Sequence, residues 1–261
     1  MSKVRLDVAV AEKGHVTRSR ARSLIIAGRV RVDGRPLTKP GFAVDPAQTL
    51  EIERPRPYVS RGGEKLEAAL DAFDIDTSAV ERALDVGAST GGFTDCLLAR
   101  GVAHVVALDV GYGQLAWQLR GDPRVTVVER TNFRTLPDDA FPGGFDLIVI
   151  DASFISLRLL LERARTHLRA DGSIVALVKP QFEAGRERVE AGGVVRSEQT
   201  HRAVLGEFRE SLAPLGLSLI AAIVSPLRGP AGNVEFFVHL RSGSGGLDDA
   251  SLDRLVGEAH S

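Results

Sequence analysis

Leu84-Asp85-Val86-Gly87-Ala88-Ser89-Thr90-Gly91-Gly92-Phe93 decides the fold. A strand-like segment, Arg82–Val86, passes into a glycine-rich turn and then into the start of a helix. Three further segments share its form: Val105–Leu108 ends at Asp109, Leu147–Ile150 at Asp151, and Ile174–Val178 at Lys179. Buried parallel strands read as continuous apolar runs. Ligands of open α/β sheets bind outside the carboxyl ends of such strands. A glycine turn, two carboxylates and a lysine are therefore expected to converge on one crevice.

Outward from this turn, strands are predicted near residues 82–87, 104–109, 125–129, 146–151, 173–179, 217–225 and 234–240. Helices are predicted near 91–100, 113–120, 155–169 and 198–213, with a further one from Ser60 to Phe73. Strand–helix alternation predicts a mostly parallel, doubly wound sheet. Only the turn-rich stretch Pro226–Asn233 separates the last two strands. It is too short for a crossover helix, so they should pair antiparallel. The tail, 242–261, opens with Gly and Ser and is expected to be flexible.

Residues 1–54 read as a separate small α+β unit. Leu6, Ala9 and Val10 have helical spacing and Gly14 stops the run. Thr17 or Ser19 can cap a second helix with Ala21, Leu24 and Ile25 on its apolar face and Gly28 at its end. Val30 and Val32 alternate with arginines up to an Asp33-Gly34 hairpin turn, and Leu50–Ile52 closes the unit. A linker is expected over 55–60, in and after the proline-rich Glu53–Pro57, and a catalytic body over 61–241.

The overall net charge of −1 hides an asymmetry: residues 1–65 hold 14 Lys+Arg against 7 Asp+Glu. A basic head on an acidic body suggests contact with a polyanion. The single cysteine, Cys96, rules out an internal disulfide and a Cys-rich zinc site. No apolar signal core opens the chain, and no apolar run approaches the ~20 residues of a membrane span. A cytoplasmic protein without membrane contact is expected. The six histidines show no metal-ligand spacing, so no metal is expected.

The turn Gly87, Ala88, Ser89, Thr90, Gly91, Gly92 and Phe93 lacks the Gly-x-Gly-x-x-Gly spacing that receives a dinucleotide pyrophosphate. Asp109, followed by Val110, lies about 20 residues on, where a carboxylate can accept from ribose hydroxyls. Asn132 stands at the third strand end, where an adenine amino group would be met. S-adenosylmethionine fits this set better than NAD.

Two resemblances organise these readings. Arg5-Leu6-Asp7, Ser19-Arg20, Leu24-Ile25, Gly28-x-Val30-x-Val32-Asp33-Gly34 and Lys39-Pro40 resemble the S4 RNA-binding domain. That implies a phosphate-gripping head, with Arg5, Arg18, Arg20, Arg29 and Lys39 as candidates; arginine's planar fork suits the task. The rest resembles the FtsJ-like (RrmJ-type) ribose methyltransferases. Residues 3 to about 241 are similar to the TlyA-type ribosomal RNA methyltransferases, historically called hemolysin A. The carrying segments are Ser60–Leu66, Gly87–Phe93, Asp109–Leu115, Glu129–Asn132, Asp151–Ser156, Lys179–Glu183 and Ser225–Glu235. The resemblance implies a class I, Rossmann-like sheet of seven strands with the last antiparallel, and 2′-O-methylation of cytidines in ribosomal RNA. The large subunit and in some members the small one are the substrates, and no obligate protein partner is implied.

The family's Lys-Asp-Lys-Glu tetrad falls on Lys65, Asp151, Lys179 and Glu235. Spacing supports Asp151 and Lys179, at strand ends; Glu235 interrupts an apolar strand, and Lys65 is carried by the resemblance alone. A ribose hydroxyl must lose its proton as it attacks. A neutral lysine can serve as base, or a charged one can stabilise the alkoxide; Lys179 is the favoured base. Arg61 and Phe154 are candidate RNA contacts, Phe154 by stacking on a flipped base. The competing readings are a non-catalytic RNA-binding assembly factor and a base N-methyltransferase. A membrane-lytic hemolysin is disfavoured by the lack of any signal or span.

Overall fold

A computed structural model describes residues 3–53 and 57–261. The chain divides into two compact units, Met1–Arg56 and Pro57–Ser261.

In the first unit the chain runs β1 (Val4–Arg5), α1 (Leu6–Lys13), α2 (Arg18–Ile26), β2 (Val30–Val32), β3 (Arg35–Pro36), β4 (Ala43–Val44) and β5 (Leu50–Ile52). Thr17 caps α2 by accepting from the Arg20 N–H. Asp33 and Gly34 both take positive φ, 50° and 76°, as a two-residue hairpin demands. Leu6, Val10, Ala21, Leu24, Ile25, Val30, Val32 and Val44 form its core.

The second unit contains α3 (Arg61–Ala72), β6 (Arg82–Val86), α4 (Gly92–Ala99), β7 (His104–Leu108), α5 (Trp117–Arg120), β8 (Val125–Val128) and β9 (Phe145–Ile150). It continues through α6 (Arg158–His167), β10 (Leu168–Val178), α7 (Pro180–Glu183), α8 (Glu198–Glu210), β11 (Leu217–Val224), β12 (Phe236–Ser242) and α9 (Asp249–His260). Among the described residues the strands form one seven-stranded sheet, ordered β11-β12-β10-β9-β6-β7-β8. β12 lies between β10 and β11 and pairs antiparallel with both, whereas the β10-β9-β6-β7-β8 neighbours are parallel. Side chains alternate across the sheet. Leu84 and Val86 face a core shared with α6, α8 and α9, and Ala83 faces one shared with α3 and α4.

Register decides what meets at the functional edge. Val86 pairs with Ile150, Ile150 with Ala176, and Val178 with Phe236. Because β12 runs backwards, its first residues lie at the carboxyl ends of the parallel strands. Gly87, Asp151, Lys179 and Glu235 thus emerge along one edge.

Three expectations are corrected. The tail is not a flexible end. After the Gly/Ser stretch, Asp248 caps α9 by accepting from the Ser251 N–H, and Leu252, Leu255 and Val256 are buried. Each such side chain contributes roughly 1.5–3 kcal/mol on burial, and Arg202 and Arg209 bond Asp249 from α8. The helix predicted over 113–120 shortens to Trp117–Arg120. The segment before it is held as a loop, with the Gly111 N–H on Asp109 and the Gly113 N–H on Glu129. Of the linker expected over 55–60, residues 55 and 56 lie outside the described residues. The remainder is built into the second unit: Tyr58 is buried and donates to Glu67, the Val59 N–H donates to Asp95, and Ser60 caps α3.

Candidate active site

The glycine turn is shaped by what surrounds it. Gly87 has φ +83°, and a Cβ there would stand 2.8 Å from the Asp151 carbonyl oxygen. Gly92 opens α4 against α3, where a Cβ would meet Ser60 Oγ at 2.1 Å. Glycine at both positions permits backbone approach that any side chain would block. Asp109 braces the turn by accepting from the Ser89 N–H at 2.8 Å and the Gly111 N–H at 2.7 Å.

A cavity of about 370 Å³ opens beside this turn, and Gly87, Ser89, Asp109, Val110 and Asn132 are in its wall. Asn132 accepts from the Arg134 N–H through its side-chain oxygen, which leaves its amide group for a ligand. Among the described residues the wall carries two carboxylates, Asp109 and Asp151, and no lysine or arginine. Such a lining suits a cationic or neutral ligand and repels a polyphosphate. Ala88, Thr90, Gly92 and Phe93 line the neighbouring cavity instead, and Gly91, buried with φ +95°, serves as the N-cap of α4.

That second cavity, of about 290 Å³, adjoins the first through Gly87, Ser89, Asp151 and Ser153. All four tetrad residues line it. They form two ion pairs: Lys65 Nζ donates to Glu235 Oε2 at 2.5 Å, and Lys179 Nζ lies 2.6 Å from Asp151 Oδ1. Lys179 also donates to Ser153 Oγ at 2.9 Å. Lys65, Lys179 and Glu235 are buried, and Asp151 is partly exposed. Buried ions persist only when paired. The site thus holds two ammonium groups, each fixed by its own carboxylate, on the wall of one cavity.

Arg61, exposed, lines the tetrad cavity, and Phe154, exposed with φ +64°, stands on the rim of the first one. The Phe154 ring lies 5.3 Å from that of Phe182 on α7. Glu183 ties the two segments together by accepting from Ser156 Oγ and the Leu157 N–H. In the first unit, Arg5 and Arg18 meet on the Asp7 carboxylate. Arg20 and Lys39 are exposed and Arg29 half-buried.

Three residues escaped the reading of the sequence. Ser153 was hidden in the loop after Asp151, and Gln114 lines the first cavity and accepts from Ser89 Oγ. Asp85 is fully buried; its Oδ2 accepts from the Thr94 N–H and hydroxyl, and its Oδ1 has no partner. Burial pushes its carboxyl up to about 7, the Thr94 bonds oppose that shift, and the nearby Asp151 charge adds to it. An acid between two apolar neighbours, Leu84 and Val86, was the available signal.

Comparisons with known proteins identify the family. The profile of FtsJ-like methyltransferases matches residues 58–242, and that of the S4 domain matches residues 4–50. The chain is 48% identical over 98% of its length, and 98% of the relative's, to the 16S/23S rRNA (cytidine-2′-O)-methyltransferase TlyA of Mycobacterium tuberculosis. It is 36% identical, over 70% of each chain, to the 23S rRNA (cytidine-2′-O)-methyltransferase TlyA of Campylobacter jejuni. A solved Streptococcus thermophilus protein, assigned provisionally to the hemolysins, superposes with a TM-score of 0.76 at 40% identity, covering 100% of this chain and 96% of that one.

Proposed function

The chain belongs to the FtsJ-like methyltransferase family, in its S4-bearing, TlyA-type branch, and from that premise we propose that it methylates the ribose 2′-hydroxyl of cytidines in ribosomal RNA. The methyl donor in this reading is S-adenosylmethionine. The substrates are large-subunit RNA and, as in the Mycobacterium relative's name, small-subunit RNA too. The observation that carries the reading is the pair of buried lysine–carboxylate contacts on a cavity that adjoins a carboxylate-lined one.

In this reading Asp109 receives ribose hydroxyls of the cofactor, Asn132 its adenine edge, and Gly87 to Gly92 give its remaining atoms close backbone approach. When bound, S-adenosylmethionine supplies an electrophilic methyl on a sulfonium. The protein's own groups act on the nucleophile. Lys179 is the base of this reading: once its ammonium has released a proton to solvent, Nζ takes the 2′-hydroxyl proton, with Asp151 and Ser153 fixing the amine's direction. Lys65, held by Glu235, sets a positive charge where the oxygen becomes negative. Phe154 stacks on the turned-out base and Arg61 meets a flanking phosphate. Arg5, Arg18, Arg20, Arg29 and Lys39 dock the head on folded RNA. No helix among the described residues is long and apolar enough to cross a membrane. The working place that follows from the substrate is the cytoplasm, with ribosomal subunits as partners.

Transfer of tritiated methyl from S-adenosylmethionine to unmodified 16S and 23S RNA and whole subunits tests the reading, with nucleotide-level mapping. The expected product is 2′-O-methylcytidine, absent with Lys179→Ala while that variant still binds cofactor. Methyl on a base overturns the tetrad assignment; RNA binding without transfer overturns the enzyme.

A further inference from the structure

The basic head contains one buried negative charge. Asp7 is 0% exposed, in the first turn of α1. Arg5 binds it through Nε to Oδ1 and Nη2 to Oδ2, both at 3.0 Å. Arg18, from α2, binds it through Nε at 3.2 Å and Nη2 at 3.4 Å. Arg22, one turn on, brings its Nε to 3.9 Å. Three arginines from two elements thus converge on one carboxylate, and their own side chains stay half exposed or more, at 50%, 56% and 60%.

A carboxylate is the wrong charge for a surface that meets phosphate. Coulomb attraction alone would favour a neutral residue here. The geometry supplies the opposite reason. A guanidinium has five N–H donors in a fixed fork. Arg5 and Arg18 each spend the Nε–Nη2 edge on Asp7, which leaves the Nη1 side of each fork for another acceptor. Gly41 borders that side of Arg5, where a Cβ would stand 3.4 Å from Nη1. Long arginine side chains lose freedom when they bind, and a side chain already held loses less.

We infer that Asp7 is a positioning residue for RNA docking: its buried carboxylate holds Arg5 and Arg18 with their free donors aimed outward at phosphates. Asp7 stays charged in this role, because the bonds from Arg5, with those from Arg18, hold its carboxyl well below the usual range. The inference rests on the reading of the head as the RNA-docking unit, and extends it to a residue of opposite charge.

The test measures binding of the full chain to unmodified 23S transcript for wild type, Asp7→Asn, Arg5→Ala/Arg18→Ala and the triple variant. Methyl transfer is followed over RNA concentration. Asp7→Asn should weaken binding about tenfold and raise KM by the same factor, with kcat at saturating RNA unchanged. In the Arg5→Ala/Arg18→Ala background it should add nothing. Binding by Asp7→Asn that equals or exceeds wild type would leave Coulomb attraction in charge and overturn the inference. A loss that persists without the two arginines assigns Asp7 to folding of the head and overturns it as well. If Arg5→Ala/Arg18→Ala itself binds normally, the docking role of this face fails first, and the inference with it.

Discussion

Lys65 and Glu235 stand 170 residues apart in sequence and 2.5 Å apart in space. The contact joins the first helix of the second unit to the residue just before the last strand of its sheet. Removing one partner strands the other charge in a buried setting, at a cost of roughly 3–5 kcal/mol. Lys65→Ala should therefore lower stability by about that amount in urea denaturation at pH 7. Lys65→Met/Glu235→Leu should recover most of the loss and remain inactive. A double variant as unstable as the single one would show that the pair is not coupled.

Gly87→Ala separates backbone geometry from side-chain chemistry. The added methyl meets the Asp151 carbonyl oxygen at 2.8 Å, at a φ of +83° that alanine resists. Asp151 must shift, and its ion pair with Lys179 with it. A displacement on the order of 1 Å is expected to reduce turnover about 100-fold. Turnover and cofactor affinity, measured side by side on this variant, check it; unchanged turnover removes Asp151 placement from the mechanism.

Asp85 makes stability depend on pH. Its carboxyl, at about 7 in the folded chain, lies above its unfolded value of about 3.9. The folded state then binds the proton more tightly. This contribution to stability is present below about pH 4, declines as pH rises through the window, and is lost above about pH 7. Asp85→Asn keeps an acceptor for Thr94 and does not titrate. Its melting temperature should exceed that of wild type above pH 7, with the gap closing towards pH 4. A gap independent of pH would place the titration elsewhere.

Phe154 carries an aromatic ring in the left-handed backbone region, at φ +64°, with 91% of its surface exposed. A bulky residue there is strained. The strain is about 1–2 kcal/mol, which glycine relieves against its own entropic cost of about 0.5–1 kcal/mol. Phe154→Gly should therefore melt no lower than wild type. Methyl transfer should fall about tenfold, the worth of one base–aromatic stack. Retained transfer would make Phe154 a packing partner of Phe182 alone.

The parts of the site that lie at strand ends were open to reading in the sequence, because apolar runs mark strands and the next residue marks the functional edge. Asp151 and Lys179 are of this kind. Glu235 was half visible as an acid inside an apolar strand; its place at the edge follows from the reversed direction of β12. Lys65 was invisible to spacing, since a lysine on an amphipathic helix reads as solvated surface. Only the resemblance selected it. α9 had a legible signal in Leu252, Leu255 and Val256, masked by the Gly/Ser stretch ahead of it. Asp85 stayed hidden because nothing in a linear pattern tells an orphaned oxygen from a satisfied one.

The reversed strand β12 also sets an order of events during synthesis. A growing chain emerges with β11 before β12, yet β11 has no place beside β10 until β12 fills the gap between them. Until then the β10 edge is open and β11 has no sheet to join. Docking of β12 against β10 therefore does two things in one step: it creates the edge that β11 needs, and it carries Glu235 to the end of the sheet where Lys65 meets it.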